Sequence, residues 1–196
     1  MTSFDLGRFK ANLFWHIIDI AASLNKTSAK LYEHYIGRQY IIEKNIFLKN
    51  INKKILHIGC GAYPVTAISL AKNSNAQITA IDNNPIIANI AKDVIRKKNN
   101  PYNSSINIER GDGATFPVQD FDVIIVSSCS IPKEKILRHV FEQASSNTII
   151  IVRELDEEIP LSNKFVQNYQ DIKLINSIRC HAVLNLRWRS SFFLKK

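Results

Sequence analysis

The chain has 196 residues, 45% of them hydrophobic and 22% charged, which suits one soluble globular domain with a full core. A formal net charge of +9 admits an anionic partner such as RNA, but the basic residues are scattered and a solvated surface is the simpler reading. Cys60, Cys129 and Cys180 are far apart and form no CxxC pair, which argues against a disulfide framework or a zinc site and fits a cytoplasmic protein. No apolar run approaches the ~20 residues of a membrane span, and the N-terminus lacks a signal-peptide pattern.

The first fifty residues read as helices. Phe9, Leu13, Ile17, Ile20 and Leu24 recur at spacings of three and four, the stripe of an amphipathic helix. Thr27 or Ser28 is placed to cap a second helix, with Leu31, Tyr35, Ile42 and Ile46 as its apolar stripe. Both helices are expected to pack over a sheet or its ligand edge, because so short a segment cannot bury a core of its own.

From Lys54 the pattern alternates strand and helix. Strands are predicted at 55–59, 77–81, 105–110, 121–127 and 148–153, with helices at 64–72, 85–98 and 133–144. Asn99-Asn100-Pro101 breaks the second of these helices. Val123-Ile124-Ile125-Val126 is typical of a strand covered on both faces. The chain closes with strand-like runs at 172–184 and 187–194, separated only by Asn185-Leu186. A two-residue connection implies an antiparallel hairpin.

The most informative segment runs from Ile55 to Asp82. The first strand stops at Gly59-Cys60-Gly61, a helix follows, and the second strand ends on Asp82, about 20 positions after the turn. A turn without side chains lets backbone approach a ligand closely, and the helix N-terminus behind it presents free N–H groups. An acid at the next strand end grips the two hydroxyls of a ribose. This is the pattern of a nucleoside cofactor site. Pro64 stands where a dinucleotide-binding turn wants a third glycine, which speaks against NAD.

The glycine turn, the strand-end acids and the terminal hairpin together resemble the class I S-adenosylmethionine (AdoMet) methyltransferase superfamily over residues 54–194. The resemblance implies an α/β, Rossmann-like fold: a mostly parallel sheet ending in an antiparallel hairpin, behind an N-terminal helical extension (1–50) packed on an AdoMet-binding domain (51–196). It implies that Gly59, Cys60, Gly61, Tyr63 and Pro64 form the turn beside the amino-acid end of AdoMet. Asp82 with Asn83 would hold the ribose, Gly111, Asp112 and Gly113 would meet the adenine, and Ser127 would close the site. His57 stands where these enzymes often carry an acid, and it either touches the cofactor or serves the structure. A narrower resemblance joins residues 59–68 to the Gly-x-Gly-x-x-Pro-x-Thr segment of nicotianamine synthases, which transfer the aminobutyrate arm of AdoMet in place of its methyl group.

In such enzymes the acceptor lies beyond strand four, here Ser127-Ser128-Cys129-Ser130, which is not the Asn-Pro-Pro-Tyr motif of amino-methylating nucleic-acid enzymes. Cys129 lacks the context of a nucleophile and reads as a buried thiol. Tyr32, Glu33, Tyr35, Tyr40 and Glu43 form a polar-aromatic group on the second helix. Tyr35, Glu43 and Ser128 are the candidates to orient or deprotonate an acceptor. Arg153-Glu154 either meets a charged substrate or forms a surface ion pair, and Trp188 is expected in the core. The expected activity is methyl transfer from AdoMet to an unidentified acceptor, most simply a small molecule. Aminobutyryl transfer and a non-catalytic AdoMet-binding module are the alternatives. No metal-ligand spacing appears.

Overall fold

The structure is a computed structural model that describes residues 3–47, 53–72, 74–97, 105–156, 160–181 and 187–196. The predicted breaker at 99–101 and the hairpin turn at 185–186 lie outside the described residues.

Seven strands form one sheet: β1 (Lys54–Ile58), β2 (Gln77–Asp82), β3 (Ile106–Arg110), β4 (Val123–Val126), β5 (Ile149–Leu155), β6 (Ile172–His181) and β7 (Arg187–Lys195). Their order is β3-β2-β1-β4-β5-β7-β6. The first five pair in parallel, while β7 runs antiparallel between β5 and β6. The four residues of β4 are all buried, as a central strand covered on both faces requires. The order reverses between β1 and β4, and in open α/β sheets that switch point, at the strands' carboxyl ends, is where ligands bind.

Helices α4 (Val65–Lys72) and α5 (Pro85–Lys97) help cover one face, and α6 (Lys133–Gln143) with α7 (Leu161–Phe165) covers the other. Both faces are closed by apolar clusters. One joins Ile55, Ile68, Ile78, Ile125 and Phe192; the other joins Leu56, Ile124, Leu137, Phe141 and Phe193. Alternation along β1 sends Ile55 to the first cluster and Leu56 to the second.

The N-terminal segment adds α1 (Ser3–Leu24), α2 (Lys26–Tyr32), a π-turn (Glu33–Gly37) and α3 (Arg38–Phe47). Asn25, not Thr27 or Ser28, caps α2: its Oδ1 accepts from Thr27 N at 2.8 Å and Ser28 N at 3.3 Å. Ala22, Ala29 and Ile36 join the sheet's first core cluster. The apolar stripe singled out in α1 does not. Leu13, Ile17, Ile20 and Leu24 are exposed, and Trp15, Asp19 and Ala22 on the opposite side of the helix turn inward. Leu31, Tyr35 and Ile42 are exposed as well, whereas Ile46 packs on the core. No helix among the described residues is long and apolar enough to cross a membrane.

Candidate active site

A cavity of about 330 Å³ opens at the carboxyl ends of β1, β2 and β4. Its floor is the turn after β1. Gly59 and Gly61 hold φ of +79° and +70°, left-handed values that favour glycine. Space forbids side chains there too. A Cβ on Gly59 would meet Ser130 Oγ, and one on Gly61 would meet the carboxylate of Asp19. The turn is tied to the neighbouring strand, since Gly59 N and Cys60 N both donate to Ile81 O, at 2.9 and 3.0 Å.

Asp82 closes the β2 side. One carboxylate oxygen accepts from Gly61 N at 3.2 Å and the other from Asn84 N at 3.0 Å, so the acid is held at the glycine turn. Asn83, Gly111, Asp112 and Gly113 continue this wall, with Asp112 fixed by Ala114 N at 2.9 Å. On the β4 side lie Ser127, Ser128, Cys129 and Ser130. Ser127 Oγ sits 2.7 Å from His57 Nε2. Burial, aided by the Arg153 charge, holds the His57 imidazole well below its ordinary pKa and therefore neutral. Burial raises the thiols of Cys60 and Cys129, and neither is a ready thiolate.

The N-terminal helices supply the roof: Trp15, His16 and Asp19 from α1, Tyr32 from α2 and Tyr40 from α3. Trp188 of β7 meets Trp15 edge-to-face at 6.1 Å and Tyr40 at 6.3 Å, so roof and sheet share one aromatic wall. Burial pushes the Tyr40 hydroxyl up to about 12 and that of Tyr32 well above 10, leaving both phenols protonated. His57 Nδ1 and Trp188 Nε1, both on cavity-lining residues, are buried with no hydrogen-bond partner among the described residues. Such groups are expensive to leave unmet.

Several predicted site residues sit elsewhere. Tyr35 is half-exposed on the π-turn, stacked edge-on against His34, and does not line the cavity. Tyr63 and Pro64 are buried behind the turn, where Tyr63 donates to Glu33. Glu43 is buried outside the cavity. Arg153 reaches its carboxylate through Nε at 3.1 and 3.2 Å and Nη2 at 2.6 Å, and Ser190 donates to it at 2.5 Å. Both oxygens are engaged, so Glu43 is an anchor and not a free base. Arg153 also donates to Thr66 at 2.8 Å and lies 3.9 Å over the Tyr40 ring. It is therefore a buried joint between the helices and β5, not a surface ion pair. Ser128 does line the cavity.

Asp19 was invisible to periodicity, which drew attention to the opposite, apolar face of α1. It is 8% exposed, and its carboxylate accepts from Ala62 N and Tyr63 N just before α4. A phosphate in a dinucleotide site would take those N–H groups. A carboxylate of the chain already fills the place, so the turn fits a cofactor that brings positive charge there. AdoMet, with its sulfonium and ammonium groups, is such a cofactor.

Sheet order, bare turn and strand-end acid define an AdoMet-dependent transferase of the class I methyltransferase type. Residues 49–193 match the family described as methyltransferase domain, and the chain belongs to that family. No curated protein sequence matches the chain. Among solved structures, a variant of the nicotianamine synthase MtNAS in complex with S-adenosylmethionine is 18% identical, with a TM-score of 0.76 over 95% of this chain and 75% of that one. The glycopeptide N-methyltransferase MtfA complexed with sinefungin is 9% identical, with a TM-score of 0.65 over 82% of this chain and 87% of that one. TrmN from Thermus thermophilus is 13% identical, with a TM-score of 0.63 over 80% of this chain and 48% of that one.

Proposed function

We propose that this protein transfers the methyl group of AdoMet to a small-molecule acceptor held beneath the N-terminal helices. The observation that carries the reading is the roofed cavity: a nucleoside-type floor at the switch point, closed by an aromatic wall shared between helices and sheet. The helical roof over the cavity favours a compact acceptor over RNA. The free thiols of Cys60, Cys129 and Cys180 support a reducing compartment such as the cytoplasm.

AdoMet supplies an electrophilic carbon on a sulfonium. The residues then have to bind, orient and exclude water. In this reading Gly59 and Gly61 admit the amino-acid arm, Asp82 takes the ribose hydroxyls, and Asp112 meets the adenine. Ser127 and Ser128 border the acceptor. Tyr32 and Tyr40, kept protonated by burial, donate hydrogen bonds and accept no proton. Acceleration then comes mainly from alignment of the acceptor with the sulfonium.

One observation favours a second reading. MtNAS matches 95% of this chain, whereas the methyltransferase neighbours MtfA and coclaurine N-methyltransferase match 82% and 74%. The likeness to MtNAS thus extends over more of the chain, which supports transfer of the aminobutyrate arm by the same site. Product analysis separates the two. Incubation with AdoMet and a panel of small amines, amino acids and phenols yields S-adenosylhomocysteine if methyl moves. Methylthioadenosine as the product overturns methyl transfer in favour of the second reading.

A further inference from the structure

We propose that Asp19, reaching in from α1, is the carboxylate that receives the ammonium group of the cofactor's aminobutyrate arm. The proposal rests on the reading of the cavity as an AdoMet site. It adds a binding residue from the N-terminal helices to a turn otherwise built by the sheet.

Three observations carry it. First, position: Asp19 lines the cavity and stands directly over Gly61, whose missing side chain is the space the carboxylate occupies. The floor of the amino-acid end and the acid are in contact. Second, charge: Asp19 is almost fully buried, yet among the described residues no lysine, arginine or histidine pairs with it. Its two donors are the N–H groups of Ala62 and Tyr63, and the other charge acting on it is the like-charged Asp82. A buried carboxylate facing a second carboxylate is costly unless a cation joins them. Third, division of labour: the cavity's buried arginine is consumed by Glu43, the His57 imidazole is neutral, and His16 and Arg187, which also line the cavity, make no ion pair with Asp19, so the acid is open to a cation brought by the ligand. An ammonium on the cavity side of Asp19, beside the turn, forms a salt bridge there, where the turn's uncharged carbonyls offer hydrogen bonds alone. In the free protein, burial raises the Asp19 carboxyl to about 7, in keeping with a site that waits for a positive partner.

The test is calorimetric titration of the full chain with S-adenosylhomocysteine, which keeps the ammonium, and with methylthioadenosine, which lacks the whole arm. Asp19→Asn retains an oxygen for Ala62 N and loses the charge. The variant should bind S-adenosylhomocysteine roughly tenfold or more weakly, with methylthioadenosine affinity within about twofold of wild type. Asp82→Ala, which removes the ribose acid, should weaken both ligands. The proposal is overturned if Asp19→Asn binds S-adenosylhomocysteine as wild type does. Equal loss of both ligands overturns it too, since that marks a merely structural acid. If wild type binds neither nucleoside, the AdoMet reading falls first and the proposal with it.

Discussion

The sheet and the helical roof hold the same cavity by different means. The buried sheet is mainly apolar: Ile55, Leu56, Ile124, Ile125, Ile150 and Ile151 are all fully covered, and such burial places the strands, with His57, Arg153, Glu154, Ser190 and Ser191 as its buried polar exceptions. The roof turns mixed surfaces inward, such as Trp15 and Asp19 on α1 and Tyr40 and Glu43 on α3, and leaves Leu13, Ile17 and Leu24 in solvent. A core that only has to be stable is written in hydrophobic residues. The wall that lines the cavity is written in aromatics and acids, and it is fastened by specific polar joints.

That difference makes predictions, and the largest concerns the joint between the two regions. Glu43→Ala should cost on the order of 3 kcal/mol or more in denaturant unfolding, because Arg153 would stay buried without its partner. A smaller loss would mean that water reaches Arg153 and that roof and sheet are less firmly joined than the buried pair implies. Trp15→Ala should cost about 2–3 kcal/mol by deleting an aromatic that bridges α1 and Trp188. At the other extreme, Leu24→Lys on the exposed side of the same helix should change stability by no more than about 0.5 kcal/mol. If Leu24→Lys matched Trp15→Ala, the apolar stripe would be a buried face after all.

A pH experiment falls between these. Burial raises the Asp19 carboxyl from 3.8 to about 7, so the folded protein keeps a proton that the unfolded chain has released. Stability should therefore fall as pH rises from about 4 to about 7, a slope that Asp19→Asn removes. The titratable groups acting on Asp19 include Asp82 on β2, Cys60 in the turn, Tyr32 on α2 and Cys129 after β4, none of them a cation, and His16 on α1 lines the same cavity. Binding of a cationic ligand should show the opposite trend, strengthening as Asp19 ionises. Thermal unfolding and ligand titration across this pH range check both signs.

The contrast also explains what the amino-acid sequence disclosed. The alternation of apolar runs with glycine and acidic strand ends placed β1 to β5 within a residue or two, because most of the buried residues of those strands are apolar. Gly59, Gly61, Asp82 and Asp112 were legible as cavity-lining residues, because a bare turn and strand-end acids in that order fall together at the carboxyl ends of neighbouring strands. The roof was misread. Periodicity chose the Leu13–Ile17–Ile20–Leu24 stripe, yet α1 docks by the face bearing Asp19, whose partners at Ala62 and Tyr63 lie over forty residues away in the chain. Glu43 was singled out as a possible base. Its role as an anchor depends on Arg153 and Ser190, which only the folded sheet brings to it.

The chain's two tryptophans, Trp15 in the roof and Trp188 in the sheet, both line the cavity, so their fluorescence reports directly on whether one cofactor site is built from both regions. Titration with S-adenosylhomocysteine should give a saturable change that persists in both Trp15→Phe and Trp188→Phe, each reporting one wall. Calorimetric binding with no change at Trp15 would place the cofactor away from the roof. No binding at all would contradict the account at its centre.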